Sequence, residues 1–195
     1  MKNFLVASFL ILAVAACSAQ TVNLTNYAQD YYNQEKIPPK GAYVKDVDGY
    51  LNQFIGTWES QIDSNHFTLY IRKGTKTTRM GVKRDMLFLT YQIKTGSGEP
   101  DSLTIEDTRE VAEDDPLMVW GKYPLTKGTY VMVYQGRDPA CGQSGIIYLK
   151  QPNEAGNSFE LYFRFLHKVI YEEQCPNGLA QILFPEKSTV FKKTK

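Results

Sequence analysis

The sequence predicts an all-β chain, folded as an antiparallel sandwich or barrel of about eight strands. Three observations lead there. From Phe54 onward apolar and polar residues alternate with period two, as in Phe67, Leu69 and Ile71 against Thr68, Tyr70 and Arg72. Turn formers punctuate the rhythm at Lys73-Gly74, Gly96-Ser97-Gly98-Glu99-Pro100, Gly136-Arg137-Asp138-Pro139 and Pro152–Asn157. The 195 residues include ten Phe, thirteen Tyr and two Trp, enough to fill a barrel interior.

The chain opens differently. Met1-Lys2-Asn3 and the apolar run Phe4–Ala16 have the basic start and short hydrophobic stretch of a secretory signal peptide. That run is shorter than the roughly 20 residues a spanning helix needs. Val14-Ala15-Ala16-Cys17-Ser18 resembles the lipobox of bacterial lipoproteins. The resemblance implies cleavage after Ala16, a diacylglyceryl group on the Cys17 thiol and acylation of the new amine. Cleavage after Ala19, discarding Cys17, is the alternative. Two or more acyl chains hold a protein stably to a bilayer. The expectation is a cell-envelope lipoprotein on a membrane, the outer membrane first, with its domain in the periplasm or at the cell surface.

Residues 1–16 are thus expected as signal peptide, 17–49 as a lipidated N-terminus and tether, and 50–195 as the barrel domain. Within 20–49, polar residues dominate Gln20–Lys36, and Ile37-Pro38-Pro39-Lys40-Gly41 breaks any regular element. Tyr27 and Tyr31, four apart, allow a short helix over Asn26–Gln34. A second role for this arm is packing on the barrel, since Tyr27, Tyr31, Tyr32 and Tyr43 are costly to leave exposed together. Leu51, Phe54 and Ile55 then form a helically spaced apolar turn. Strands follow at Thr57–Ile62, Phe67–Arg72, Met86–Ile93, Leu117–Tyr123, Thr129–Gln135, Gly145–Lys150, Phe159–Phe165, Leu179–Phe184 and Ser188–Lys192.

Tyr50-Leu51-Asn52-Gln53-Phe54-Ile55-Gly56-Thr57-Trp58 resembles the Gly-x-Trp opening of lipocalins and related calycin barrels. The resemblance implies an antiparallel lipocalin-like barrel entered through a short helical turn. Gly56 would permit the tight entry, Thr57 would follow it, and Trp58 would cap the closed end. A basic residue from the last strand, Lys192 or Lys193, would lie over the indole, a cation–π contact of about 0.5–2 kcal/mol. Leu51, Phe54, Ile55, Gly56, Thr57 and Trp58, with Phe67, Leu69, Arg72 and Lys73 after them, are also similar to a segment of small bacterial lipoproteins of unknown function. That likeness implies no activity.

Charge excludes some partners. Cleavage after Ala16 takes Lys2 from a total of 22 basic residues against 21 acidic ones, so the mature side chains are near neutral. No basic stripe suggests nucleic acid, and membrane affinity is expected from lipid on Cys17. With Cys17 lipidated, Cys141 and Cys175 remain, each beside turn formers. An oxidising compartment favours their pairing over two separate thiols. The bridge would close a loop stabilised by roughly 4 kcal/mol in the chain-entropy account.

Catalytic signatures fail. Gly142-Gln143-Ser144-Gly145 lacks the second spacer of a hydrolase elbow and precedes a strand rather than a helix. His66 and His167 have no metal-spaced partner. Asp46-Val47-Asp48-Gly49 misses the first and last oxygen ligands of a calcium loop, and the Glu113-Asp114-Asp115 turn reads as solvated. Asp101-Ser102-Leu103 is similar to an O-glycosylation triplet of some Gram-negative bacteria. No enzyme activity and no cofactor is expected, and a monomer is. Two binding classes stay open. In one, the barrel mouth takes a small apolar or amphipathic ligand, with Tyr91, Trp120, Tyr134 and Tyr148 as candidate lining. In the other, a filled barrel binds an envelope protein or glycan through its loops.

Overall fold

The computed structural model describes residues 20–32, 37–96, 102–125, 128–166, 173, 175–181 and 183–194, with backbone alone at 31 and 32. The strands are β1 (Thr21–Asn23), β2 (Tyr43–Lys45), β3 (Gly56–Ile62), β4 (Asn65–Thr77), β5 (Lys83–Thr95), β6 (Thr104–Asp107), β7 (Val119–Leu125), β8 (Thr129–Gln135), β9 (Ser144–Lys150), β10 (Ser158–Phe165) and β11 (Thr189–Lys193). One helix, α1 (Leu24–Tyr32), and a 3-10 turn at Tyr50–Phe54 complete the described elements. Eight strands close an antiparallel barrel in the order β5-β4-β3-β11-β10-β9-β8-β7 and back to β5.

Period-two alternation explains the closure. Leu69, Leu89, Tyr91, Met132, Ile147, Leu149, Phe163 and Phe191 are all buried, while their neighbours in sequence turn outward. The free edge of β5 is shared along its length by β2 at Lys83 and Arg84, β7 at Phe88 and Leu89, and β6 at Gln92 to Lys94.

One end of the barrel is sealed as the Gly-Thr-Trp motif implies. Leu51 and Phe54 of the 3-10 turn are fully buried there. Gly56 then starts β3 at φ 138°, and a Cβ on it would stand 2.8 Å from Lys193 Cε. Trp58 is 0% exposed and its Nε1 donates to the Phe54 carbonyl at 2.8 Å. Lys193 supplies the cation, with Nζ 5.1 Å from the ring centroid. The Thr57 carbonyl accepts from the Thr194 amide at 3.0 Å, which pins the last residues beside the first strand.

Three expectations need correction. Lys73-Gly74 is no turn: β4 runs through it to Thr77, pairing with β5 as far as Thr77↔Lys83. Gly74 is needed for room, since a Cβ there would meet the Phe88 ring at 2.7 Å. The described residues of Leu179–Phe184 form no strand; Leu179 is exposed, Phe184 is buried, and the segment is held to the β8–β9 turn instead of a sheet edge. Strands β1, β2 and β6 were not anticipated, each being too short to show a period.

Of the two roles open to residues 20–49, packing is the one the described residues adopt. Leu24, Ala28, Ala42 and Val44 are buried, and Leu24 and Val44 join the main core. A polar network fixes the arm. Asp85 accepts from Tyr43 Oη (2.7 Å), Thr75 Oγ1 (2.9 Å) and the Asp46 amide (3.0 Å). Asp46 in turn accepts from the Leu51 amide at 3.1 Å and from Lys73 Nζ at 2.7 Å. Burial opposes ionisation of Asp85, but the three donors and the Lys73 charge outweigh it and hold its carboxyl below the ordinary range.

Because β3 covers β4 only as far as Gly56↔Ile71, the β4–β5 hairpin overhangs the sealed end. β2 lies parallel beside its β5 strand and β1 parallel beside β2.

Candidate functional site: a plugged mouth and two outer clefts

The mouth opposite Trp58 is filled by the chain itself. Phe184, 1% exposed, stands with its ring centroid 5.1 Å from Tyr91, 5.3 Å from Tyr134, 5.9 Å from Phe67 and 6.0 Å from Phe163. These are offset or edge-on distances at which aromatic pairs attract beyond simple burial. Burial favours the neutral phenols, pushing Tyr91 well above the usual tyrosine range and raising Tyr134 as well.

The disulfide places this plug. Cys141 and Cys175 are bonded, with Cα atoms 5.4 Å apart. The Ala180 amide donates to the Cys141 carbonyl at 3.0 Å, and Gln143 Nε2 donates to the Gln181 carbonyl at 2.7 Å. The stretch after Cys175 is thus stapled to the β8–β9 turn, and Phe184 follows on the path to β11.

The four aromatics predicted to line a pocket do not converge. Tyr91 and Tyr134 face inward against Phe184, with their own rings 6.4 Å apart. Tyr148 faces outward on β9 and pairs with Tyr162 of β10, rings 5.9 Å apart. This pair, with Leu125, Lys150, Arg164 and Ser188, borders an open cleft of about 490 Å³. Lys150 Nζ and Ser188 Oγ both bond Glu160, and together they hold its carboxyl below the ordinary range.

Trp120 also lies outside, on a satellite core of Met86, Phe88 and Met118. With Met86 it forms the apolar wall of a second cleft, about 410 Å³, whose other lining is Lys76, Thr77, Thr78, Arg79 and Arg84. Arg84 Nη2 donates to the Gly121 carbonyl at 3.4 Å, and Arg84 Nε is buried without a partner. This cleft was missed, although a signal existed: residues 72–84 contain Arg72, Lys73, Lys76, Arg79, Lys83 and Arg84 and no carboxylate. Phe184 was missed as a plug because nothing local distinguishes it.

The remaining candidates have structural partners. The acidic turn is used internally: Glu113 pairs with Arg72 at 2.7 Å, and Asp115 accepts from the Leu117 amide at 2.8 Å. His66 stands 3.9 Å from Glu59. Among the described residues no three His, Cys, Asp or Glu side chains are grouped to hold a metal. Cys17, the signal peptide, His167 and Asp101 lie outside the described residues; Ser102 lies within them, just before β6.

A closed antiparallel eight-stranded barrel, sealed by Trp58 and plugged by Phe184, defines a small β-barrel protein. The chain belongs to a family of unknown function, DUF6705, whose family model matches residues 1–139. The matched span takes in Trp58 and the overhanging hairpin and ends in the turn after β8. Neither a curated protein nor a solved structure matches the chain.

Proposed function

We propose that this protein is a bacterial cell-envelope lipoprotein, anchored through lipid on Cys17, whose calycin-type barrel is a non-enzymatic binding scaffold. It meets an envelope protein or glycan through its outer surface and works as a monomer without a cofactor. The observation that carries the binding mode is Phe184 packed among Phe67, Tyr91, Tyr134 and Phe163. A mouth so filled favours surface recognition over an internal ligand. Calycin kinship is supported by the 3-10 turn, Gly56 at its exit, and Lys193 over Trp58. The anchor is supported by the Ala15-Ala16-Cys17 sequence.

Two measurements test this reading. Mass spectrometry of the membrane fraction should find an acylated peptide beginning at Cys17, and Cys17→Ser should move most of the protein out of that fraction. A soluble mature form starting at Gln20 would reject the anchor. The purified protein should show no saturable uptake of the apolar fluorophore N-phenylnaphthylamine. Stoichiometric uptake would restore an internal small-molecule ligand.

A further inference from the structure

We propose that the overhanging β4–β5 hairpin is a docking surface for an anionic phospholipid membrane, with a lipid phosphate seated in the cleft of Lys76, Arg79, Arg84 and Trp120. The choice of a membrane as occupant rests on the lipid-anchor reading above; the physical character of the surface does not.

Position comes first. The Gln20 carbonyl accepts from the Tyr43 amide at 2.9 Å, Thr21 is in register with Tyr43, and Tyr43 with Lys83. The chain therefore enters the fold beside the tip of the hairpin. Gln20 is three residue steps from Cys17, a reach of at most about 11 Å when fully extended. Lipid on Cys17 would bring headgroups within reach of this end of the barrel.

Charge comes second. Lys76 lies directly across from Arg84 in the β4–β5 ladder, and like charges so placed weaken a sheet unless an anion joins them. Among the described residues neither these two nor Arg79 has an ion pair. Lys40 extends the cluster, its stem lying against Gly81 in the hairpin turn. Carboxylates also stand near this end, but Asp46 and Asp85 are buried in the arm's network and Glu113 is paired with Arg72. None of the three lines the cleft, whose charged lining is Lys76, Arg79 and Arg84.

The third element is apolar. Met80, at the tip of the hairpin, is 59% exposed, and Ile37, just before the segment beside it, is 67% exposed. Exposed apolar tips ringed by cations suit the boundary between headgroups and acyl chains. In the cleft itself, cations and the Thr77 and Thr78 hydroxyls can meet a phosphodiester while Trp120 and Met86 face its glycerol. Tryptophan favours that depth of a bilayer.

The test uses the full chain carrying Cys17→Ser, so that no acyl group contributes, in flotation with vesicles. Binding is expected on phosphatidylglycerol–phosphatidylethanolamine vesicles, weakening as salt rises, and not on pure phosphatidylcholine. Lys76→Glu with Arg79→Glu should lower binding at least about tenfold. Both side chains are exposed, and an unchanged melting temperature would confirm the fold. Arg164→Glu with Lys187→Glu, the same charge change near the mouth, should leave binding within about twofold. Equal binding to both vesicle types, or equal loss in the two double variants, overturns the proposal. So does binding of inorganic phosphate with no retention on anionic vesicles, which would make the cleft a small-anion site. Since this chain carries no acyl group, failure here is separate from failure of the anchor, which mass spectrometry reads on the wild type.

Discussion

Gly56, Trp58 and Lys193 act as one device at the sealed end. Lys193 can cross the indole face only because residue 56 has no Cβ, and the indole is turned to that face by its hydrogen bond to Phe54. Below it, Phe159 meets the indole edge-on at 4.7 Å and stacks in turn on Phe191 at 5.8 Å. Removing the indole would leave a void bounded by the 3-10 turn and strands from both ends of the chain, which cannot all collapse into it. Trp58→Ala is therefore expected to lower unfolding free energy by about 3–5 kcal/mol, the range for truncating a large buried aromatic. Denaturant melts of the two proteins measure it, and a loss below about 1 kcal/mol would contradict the sealing role. Asp46 is a second single residue with wide reach. One carboxylate joins Lys73 of β4 to the Leu51 amide in the 3-10 turn, so the arm, the turn and the hairpin share a fixed point.

At the scale of elements, the stretch from Cys175 to β11 is held by covalent and polar ties more than by regular structure. The disulfide closes a 34-residue separation, for which the chain-entropy account gives about 4 kcal/mol as an upper figure. Cys141→Ser with Cys175→Ser is expected to lower the melting temperature, and by loosening Phe184 to let the apolar fluorophore enter the mouth. A melting temperature unchanged to within a degree would show that the hydrogen bonds at Ala180 and Gln181 suffice alone. The same segment shows what sequence could and could not tell. Strands with an apolar inner face, such as β8 and β10, were legible because burial on one side imposes period two. The outer half of β4 was not, because Arg72–Thr77 bury no continuous face and are strand only through pairing with β5. Gly56 and Trp58 were legible because motif and backbone strain coincide there. Phe184 was not, because its partners Phe67, Tyr91 and Tyr134 are distant in sequence. The basic cleft was partly legible: the run of cations is local, but Trp120 reaches it only through the β5–β7 pairing.

Across the whole molecule, the aromatic core makes the fold sensitive to alkali. Tyr50, Tyr91, Tyr130 and Tyr134 all carry raised pKa values, burial being the main cause in each. Tyr50, next to the Asp46 charge as well, is pushed up to about 12. In the unfolded chain each phenol ionises near its ordinary value of about 10. The sign follows from linkage: the folded state keeps these protons where the unfolded state loses them. Their contribution is complete below about pH 10 and is lost as pH climbs from there toward the folded values. The four buried phenols should ionise in a cooperative step coincident with loss of the barrel's circular dichroism, above the range of an ordinary phenol. If all tyrosinate absorbance developed in one smooth curve centred near pH 10 with the barrel intact, the interior would be open to water at the mouth. The Phe184 plug, and the surface-binding role inferred from it, would then have to be abandoned.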